Sequence, residues 1–261
     1  MRSIRTLLVP VFLAVAAWGV PAPAGAQVAV GVNITIPPPP LPVYEQPAIP
    51  AIGYIWTPGY WAWGPGGYYW VPGTWVLPPA VGLLWTPGYW AWLNGAYVWH
   101  RGHWGHHVGF YGGIDYGFGY GGVGYDGGYW KGNSFFYNRA VNNIGRARIA
   151  HSYSKPVAHA PANRASFNGG NGGIAARPTP RDTTAAREPS RPPTTRQAQH
   201  ERFAGTDPGA RAETNHGQPP VPATQRPVMA ARPAERAGKA PAQHPPEGNR
   251  PEGNPREDDR H

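Results

Sequence analysis

From Tyr54 to Trp104 the apolar positions come in short bursts, most of them aromatic, each closed by glycine or proline. Within a burst such as Tyr60-Trp61-Ala62-Trp63, alternation puts Trp61 and Trp63 on one face of an extended strand. Pro and Gly are too frequent for helix, so the pattern predicts short β-strands separated by turns. The bursts also repeat. Trp56-Thr57-Pro58-Gly59-Tyr60-Trp61-Ala62-Trp63 recurs unchanged as Trp85-Thr86-Pro87-Gly88-Tyr89-Trp90-Ala91-Trp92, 29 residues further on. Inside it lies a finer unit, W-x-x-G-x-W, whose four copies start 14, 15 and 14 residues apart. The structural repeat residues are thus Trp56, Gly59 and Trp61; Trp70, Gly73 and Trp75; Trp85, Gly88 and Trp90; and Trp99, Gly102 and Trp104.

In three copies the motif centre is Pro-Gly, which suits the central positions of a type II turn: Pro fixes φ and Gly tolerates positive φ. On that reading Trp56 faces Trp61, and Trp85 faces Trp90, across tight antiparallel pairs. Gly64-Pro65-Gly66-Gly67 and Leu93-Asn94-Gly95-Ala96 reverse the chain again, giving a meander of short strands. Ten tryptophans fall within residues 56–104, more than so short a segment can bury by itself. Some rings are therefore expected to be exposed, or shared with a partner or another copy.

The flanks differ in kind. Arg2 and Arg5 precede the apolar run Leu7 to Val20, and Ala24-Gly25-Ala26 fits a signal-peptidase site, so residues 1–26 read as a cleaved signal peptide and the mature chain starts near Gln27. The run is too short and interrupted to span a bilayer, and no transmembrane span is expected after cleavage. Residues 27–53 read as a Pro-rich linker and residues 54–108 as the aromatic β-repeats. Residues 109–150, with Tyr111, Tyr116, Phe118, Tyr120 and Tyr125 set among glycines, read as a flexible adhesive coil followed by a short strand region. Beyond 151 large apolar residues are sparse, and 151–261 is expected to be a disordered, basic, partly polyproline-like tail. The expected fold class is a small all-β aromatic repeat module, a short antiparallel meander, with a Gly/Tyr-rich segment and a long disordered C-terminal tail.

Composition sharpens this picture. The chain holds 36 Gly and 34 Pro among 261 residues, a share typical of low-complexity sequence, yet 13% of its residues are aromatic. It has no cysteine, which excludes disulfides, thiol catalysis and a lipidated cysteine anchor. Residues 27–130 carry one base, Arg101, against Glu45, Asp115 and Asp126, whereas residues 131–261 carry 20 bases against 11 acids. For an exported chain, a basic tail suits anionic envelope polymers or lipid headgroups better than nucleic acid, with a solvated spacer as the plainer alternative.

Candidate chemistry is thin. No G-x-S-x-G, phosphate loop or H-E-x-x-H occurs, and Asp115 and Asp126 sit in glycine-flanked turn settings. No catalytic residue is assigned and no enzyme is expected. His100 and His103 occupy the corners of the fourth motif, with His106 and His107 directly after. If the turn brought them together they would hold a divalent metal; otherwise they form a solvated, aromatic-flanked polar turn.

The four Trp motifs, with Tyr54, Tyr68 and Tyr97 two residues before three of them and Leu83 as the exception, resemble the WXXGXW (YXWGXW) repeat proteins of proteobacterial cell envelopes. Tyr137-Asn138-Arg139-Ala140-Val141 and Phe167-Asn168-Gly169-Gly170-Asn171-Gly172-Gly173-Ile174 are similar to segments of that family, as is Ala176-Arg177-Pro178-Thr179. The resemblance implies an exported envelope protein of the periplasm or outer membrane and no known reaction. Many members are lipoproteins, from which a chain without cysteine departs. The expected function is structural or binding, through the repeats, with envelope polymers, other envelope proteins or further copies of the chain as partners. The alternatives are a glycan-binding module, from the surplus Trp, and metal binding at the His cluster.

Overall fold

Chain reversal falls where backbone chemistry makes it cheap. Asn94 and Gly95 have φ of 49° and 85°, the paired left-handed geometry of a type I′ turn, whose twist matches that of flanking strands. Leu93 pairs with Ala96 across it. Gly64 pairs with Gly67 around Pro65-Gly66, where the positive φ of 84° falls on Gly67 itself. The computed structural model describes residues 34–145, 149–157 and 164–227. The signal peptide expected over 1–26 and the tail from 228 onward lie outside the described residues.

From these two reversals the repeats form two long hairpins. In the first, β1 (Ile55–Thr57) pairs with β4 (Thr74–Val76), and β2 (Tyr60–Gly64) pairs with β3 (Gly67–Val71). In the second, β5 (Leu84–Thr86) pairs with β8 (His103–Gly105), and β6 (Tyr89–Leu93) with β7 (Ala96–His100). One antiparallel register runs through both pairs of each hairpin, so Pro58-Gly59 and its counterparts interrupt the ladder without turning the chain. This corrects the type II reading. Gly59, Gly73 and Gly88 do not take positive φ, and Trp56 faces Trp75 while Trp61 faces Trp70. Likewise Trp85 faces Trp104 and Trp90 faces Trp99. The short antiparallel all-β module itself is as expected.

The Gly/Tyr-rich segment is not a coil. It forms β9 (Asp115–Gly117) with β10 (Tyr120–Gly121), then β11 (Gly128–Lys131) with β12 (Ser134–Asn138). Tyr111, Ile114 and Tyr120 are fully buried. The glycines that made order look costly let the backbone turn between rings: Gly112, Gly113, Gly117, Gly119, Gly122 and Gly124 all take positive φ.

Two flanking segments that read as free chain are also packed. In the expected linker, Leu41, Gln46 and Ile49 are buried against the module. In the expected open tail, β13 (Ser152–Tyr153) extends β12, and β14 (Phe167–Asn168) adds in parallel to β6. Then follow α1 (Pro180–Ala185), α2 (Thr195–Thr206), a 3-10 turn (Pro208–Ala210) and α3 (Ala212–Asn215). The first two helices begin with capping boxes, Thr179 with Asp182 and Thr194 with Gln197. Residues 164–227 supply little core of their own and lie on the surfaces of the hairpins, an arrangement that needs few large apolar residues. The same segments complete the burial of the tryptophans. Of the ten between 56 and 104, seven are buried and Trp63, Trp92 and Trp99 are half-buried.

Candidate functional site: the reciprocal tryptophan–glycine repeat

Each hairpin joins two motifs head to tail, and every motif residue finds its counterpart in the other motif. The indoles form four cross-strand pairs, with ring centroids 5.3 Å apart for Trp56 and Trp75, 5.1 Å for Trp61 and Trp70, and 5.2 Å for both Trp85–Trp104 and Trp90–Trp99. Pairs of this kind contribute about 0.5–1.5 kcal/mol each beyond their buried area.

The glycines serve those rings. A β-carbon on Gly73 would stand 2.5 Å from Cζ2 of Trp56, and one on Gly88 would stand 2.5 Å from Cζ2 of Trp99. On Gly59 and Gly102 it would press still closer on Trp70 and Trp85. It would also lie 2.8 Å from the backbone nitrogen of the opposite motif's glycine at Gly59, Gly88 and Gly102. The motif needs glycine because the two backbones approach each other there beneath an indole, not because of an unusual φ. The proline before it withholds an N–H where the ladder is open, so the break costs one donor less.

Groups freed by the breaks are taken up by other segments. The Gly59 N–H donates to the Tyr44 hydroxyl (3.2 Å), the Gly73 N–H to the Pro222 carbonyl (3.1 Å), and the Gly88 carbonyl accepts from the Tyr116 hydroxyl (2.6 Å). The indole N–H groups behave alike. Trp61 donates to the Pro40 carbonyl (3.2 Å), Trp75 to Pro47 (2.9 Å), Trp70 to Pro222 (3.0 Å), and Trp90 to the carbonyl of Trp61 in the other hairpin (2.7 Å). Proline-rich chain is a natural recipient, since its carbonyls have no internal partners. Trp104 instead donates to Oε1 of Gln197 (2.9 Å), the same atom that receives the N–H of Thr194 in the cap of α2 (2.9 Å).

Two tyrosines tie the hairpins to the rest. The Tyr120 hydroxyl reaches the carbonyls of Trp56 (3.3 Å) and Trp85 (3.1 Å), equivalent positions in the two copies. Tyr137 donates to the Tyr54 carbonyl (2.9 Å) and accepts from the Gly53 N–H (2.7 Å). Burial pushes the Tyr120 phenol well above its ordinary range and the Tyr137 phenol up to about 12. Neither tyrosine is marked by the repeat. Tyr120 is one of five aromatic residues spaced by glycine, a pattern that signals alternation and nothing about the partner. Gln197 was legible as the last residue of the capping box Thr194-x-x-Gln197, masked by its Pro- and Arg-rich surroundings.

The four histidines are not brought together. The His100 ring stacks on Tyr89 with centroids 4.6 Å apart, and burial lowers its pKa. His103 stands opposite Thr86 in β8, its pKa also lowered by burial. Nδ1 of His106 lies 3.3 Å from the Gly82 carbonyl, and Nδ1 of His107 lies 2.8 Å from Glu188. Among the described residues no three His, Cys, Asp or Glu are grouped to hold a metal ion. The metal expectation required the motif centre to be a tight turn, and β7 and β8 instead run on through it. Between the two hairpins lies a cavity of about 40 Å³, bounded by Tyr60, Trp85, Trp99 and Arg101 and closed by Gln197, His200 and Glu201 of α2. It has space for a few water molecules.

The WXXGXW repeat family matches twice, at residues 52–76 and 81–104, and each match covers one hairpin. The chain thus carries two copies of that repeat, each holding a reciprocal pair of motifs. No curated protein and no solved structure matches the chain. No helix among the described residues is long and apolar enough to cross a membrane.

Proposed function

We propose that the protein is an exported, non-enzymatic component of the cell envelope whose WXXGXW hairpins build a rigid aromatic frame and whose role is structural or binding. The observation that carries this reading is the use made of the repeated residues. Tryptophans and glycines that recur with fixed spacing are consumed in packing against one another and in holding the flanking segments, so the repeat serves as scaffold. A catalytic motif, by contrast, keeps its reactive groups free for a ligand. Export is supported by the basic n-region, the apolar run and Ala24-Gly25-Ala26 before Gln27. Contacts with partners then belong to the outer faces of the frame and of the tail bound to it.

The test is fractionation of producing cells followed by sequencing of the mature N-terminus. Recovery with the envelope and a start at or near Gln27 is the expected result. Recovery in the cytosolic fraction with Met1 intact would refute the reading.

A further inference from the structure

Charge in residues 164–227 is sorted by side. The segment carries nine arginines and five carboxylates, and four of the carboxylates are turned to internal duties. Asp182 is buried in the capping box of α1, Glu188 pairs with His107, Glu201 lies against the Tyr60 hydroxyl, and Asp207 receives the Gly209 N–H. None of the nine arginines has a carboxylate partner among the described residues, although Nε of Arg164 donates to the Leu41 carbonyl (2.6 Å). The ion pairs among the described residues are His107–Glu188 and Lys155–Asp126, and neither contains an arginine. Beyond 227 bases and acids balance, six of each, so the excess positive charge of this region is concentrated on the part that is held against the hairpins.

Helix α2 shows the sorting most clearly. Its inner side is fixed by Gln197 on Trp104, His200 on the Pro72 carbonyl (2.8 Å), and Ala204 packed with Ala62 and Val71. Positions 197, 200, 201 and 204 therefore face the hairpins. The solvent side presents Gln199, Arg202 and Phe203, all exposed, with Arg196 half-buried at its edge. Phe203 is 72% exposed, and with Val221, 48% exposed, it borders a shallow apolar groove of about 210 Å³. An exposed phenylalanine flanked by arginines without carboxylate partners suits the headgroup boundary of a bilayer, where apolar rings settle while cations meet lipid phosphates.

We propose that the outer face of α2, with Arg196, Arg202 and Phe203, together with Val221, seats the protein on an anionic phospholipid surface. It supplies the attachment that a chain without cysteine cannot obtain from a lipidated anchor, and in that respect it deepens the envelope reading above. The contact is peripheral. Phe203 and Val221 enter the headgroup region, and the arginines add an attraction that salt weakens.

The experiment sediments the full mature chain with vesicles of phosphatidylcholine containing phosphatidylglycerol, and with vesicles of phosphatidylcholine alone. Binding to the mixed vesicles at low salt, little binding to the neutral ones, and release at high salt are expected. Each Arg→Gln change on this face should weaken partitioning about five-fold, so that R196Q/R202Q binds about 25-fold less. F203A should lower binding at every salt concentration. Near-ultraviolet circular dichroism identifies variants that remain folded, as expected for outward-facing positions. Equal binding to both vesicle types, or wild-type binding by folded R196Q/R202Q, would overturn the proposal. So would Arg-dependent binding to soluble polyphosphate without sedimentation on mixed vesicles, which would make the partner a dissolved polyanion. Vesicle binding by a protein that proves to be cytosolic would refute the export reading and leave this inference standing.

Discussion

The two hairpins begin from the same eight residues and end in different surroundings. Trp61 gives its indole N–H to Pro40 and its equivalent, Trp90, gives its own to Trp61. Trp75 is met by Pro47 of the N-terminal segment, whereas Trp104 is met by Gln197 of a helix. The β6 edge carries the added strand β14, and β3 instead has α2 and α3 beside it. The difference separates two levels of information. The motif specifies what lies within one hairpin: four paired rings and two glycines beneath them. What lies around it is specified by segments outside the repeat, which compete for a fixed set of donors that both hairpins present alike.

The most far-reaching way to break both copies together is alkali. Burial raises the phenols of Tyr44, Tyr60, Tyr68, Tyr111, Tyr116, Tyr120 and Tyr125 above their ordinary value, and that of Tyr137 to about 12. A folded-state pKa raised above the unfolded value of about 10 contributes stability that is complete below pH 10 and lost as pH rises toward the folded value. Cooperative unfolding above pH 10 is expected, with phenolate absorbance appearing in the same transition as the loss of near-ultraviolet circular dichroism. Gradual titration of these tyrosines ahead of unfolding would contradict their burial.

Glycine substitutions ask whether one hairpin survives the other. Gly59→Val and Gly88→Val each place a branched side chain where an indole and a backbone already sit, and should cost about 3 kcal/mol or more. Because both hairpins share one core, each variant is expected to lower a single melting transition instead of producing two. Gly67→Ala sharpens the point: its φ is +84° but nothing lies within 4 Å of the added carbon, so the cost should be nearer 1 kcal/mol. Equal effects at the two kinds of site would restore the turn interpretation.

Tyr120→Phe removes the one hydroxyl described as reaching both Trp56 and Trp85. Loss of about 1–2 kcal/mol is expected, because two buried carbonyls lose a donor. Gln197→Ala has the smallest and most local effect, about 1 kcal/mol, from the cap of α2 and the acceptor of Trp104. Hydrogen exchange should accelerate in α2, in β8 and in β3, which α2 lies against, and stay unchanged in β9 to β12. Acceleration in β9 to β12 would show the cap to be coupled more widely.

Much of the first level was legible in the sequence. Strand lengths, the reversals at Gly64 to Gly67 and Leu93 to Ala96, and an all-β aromatic module follow from alternation and from Asn-Gly chemistry. The partner of each tryptophan was not, because Pro58-Gly59 carries the local signature of a turn and only the strand register of the whole hairpin decides against it. The tail misled for another reason. Sparse apolar residues argue that a segment cannot build its own core, and residues 164–227 do not; they borrow one, through Phe167, Ala204 and Ala223. The histidines illustrate the same limit, since Glu188, the partner of His107, lies 81 residues away.

The reciprocity of glycine and indole also governs how such a chain can grow or shrink over generations. Gly59 is the floor for Trp70 and Gly73 for Trp56, so deleting one motif leaves a ring without a floor and a glycine with nothing above it. A change in repeat number that keeps every ring on its glycine therefore adds or removes a whole hairpin. The unit is the 29-residue interval between the two identical octets, not the 14 residues that separate one tryptophan motif from the next.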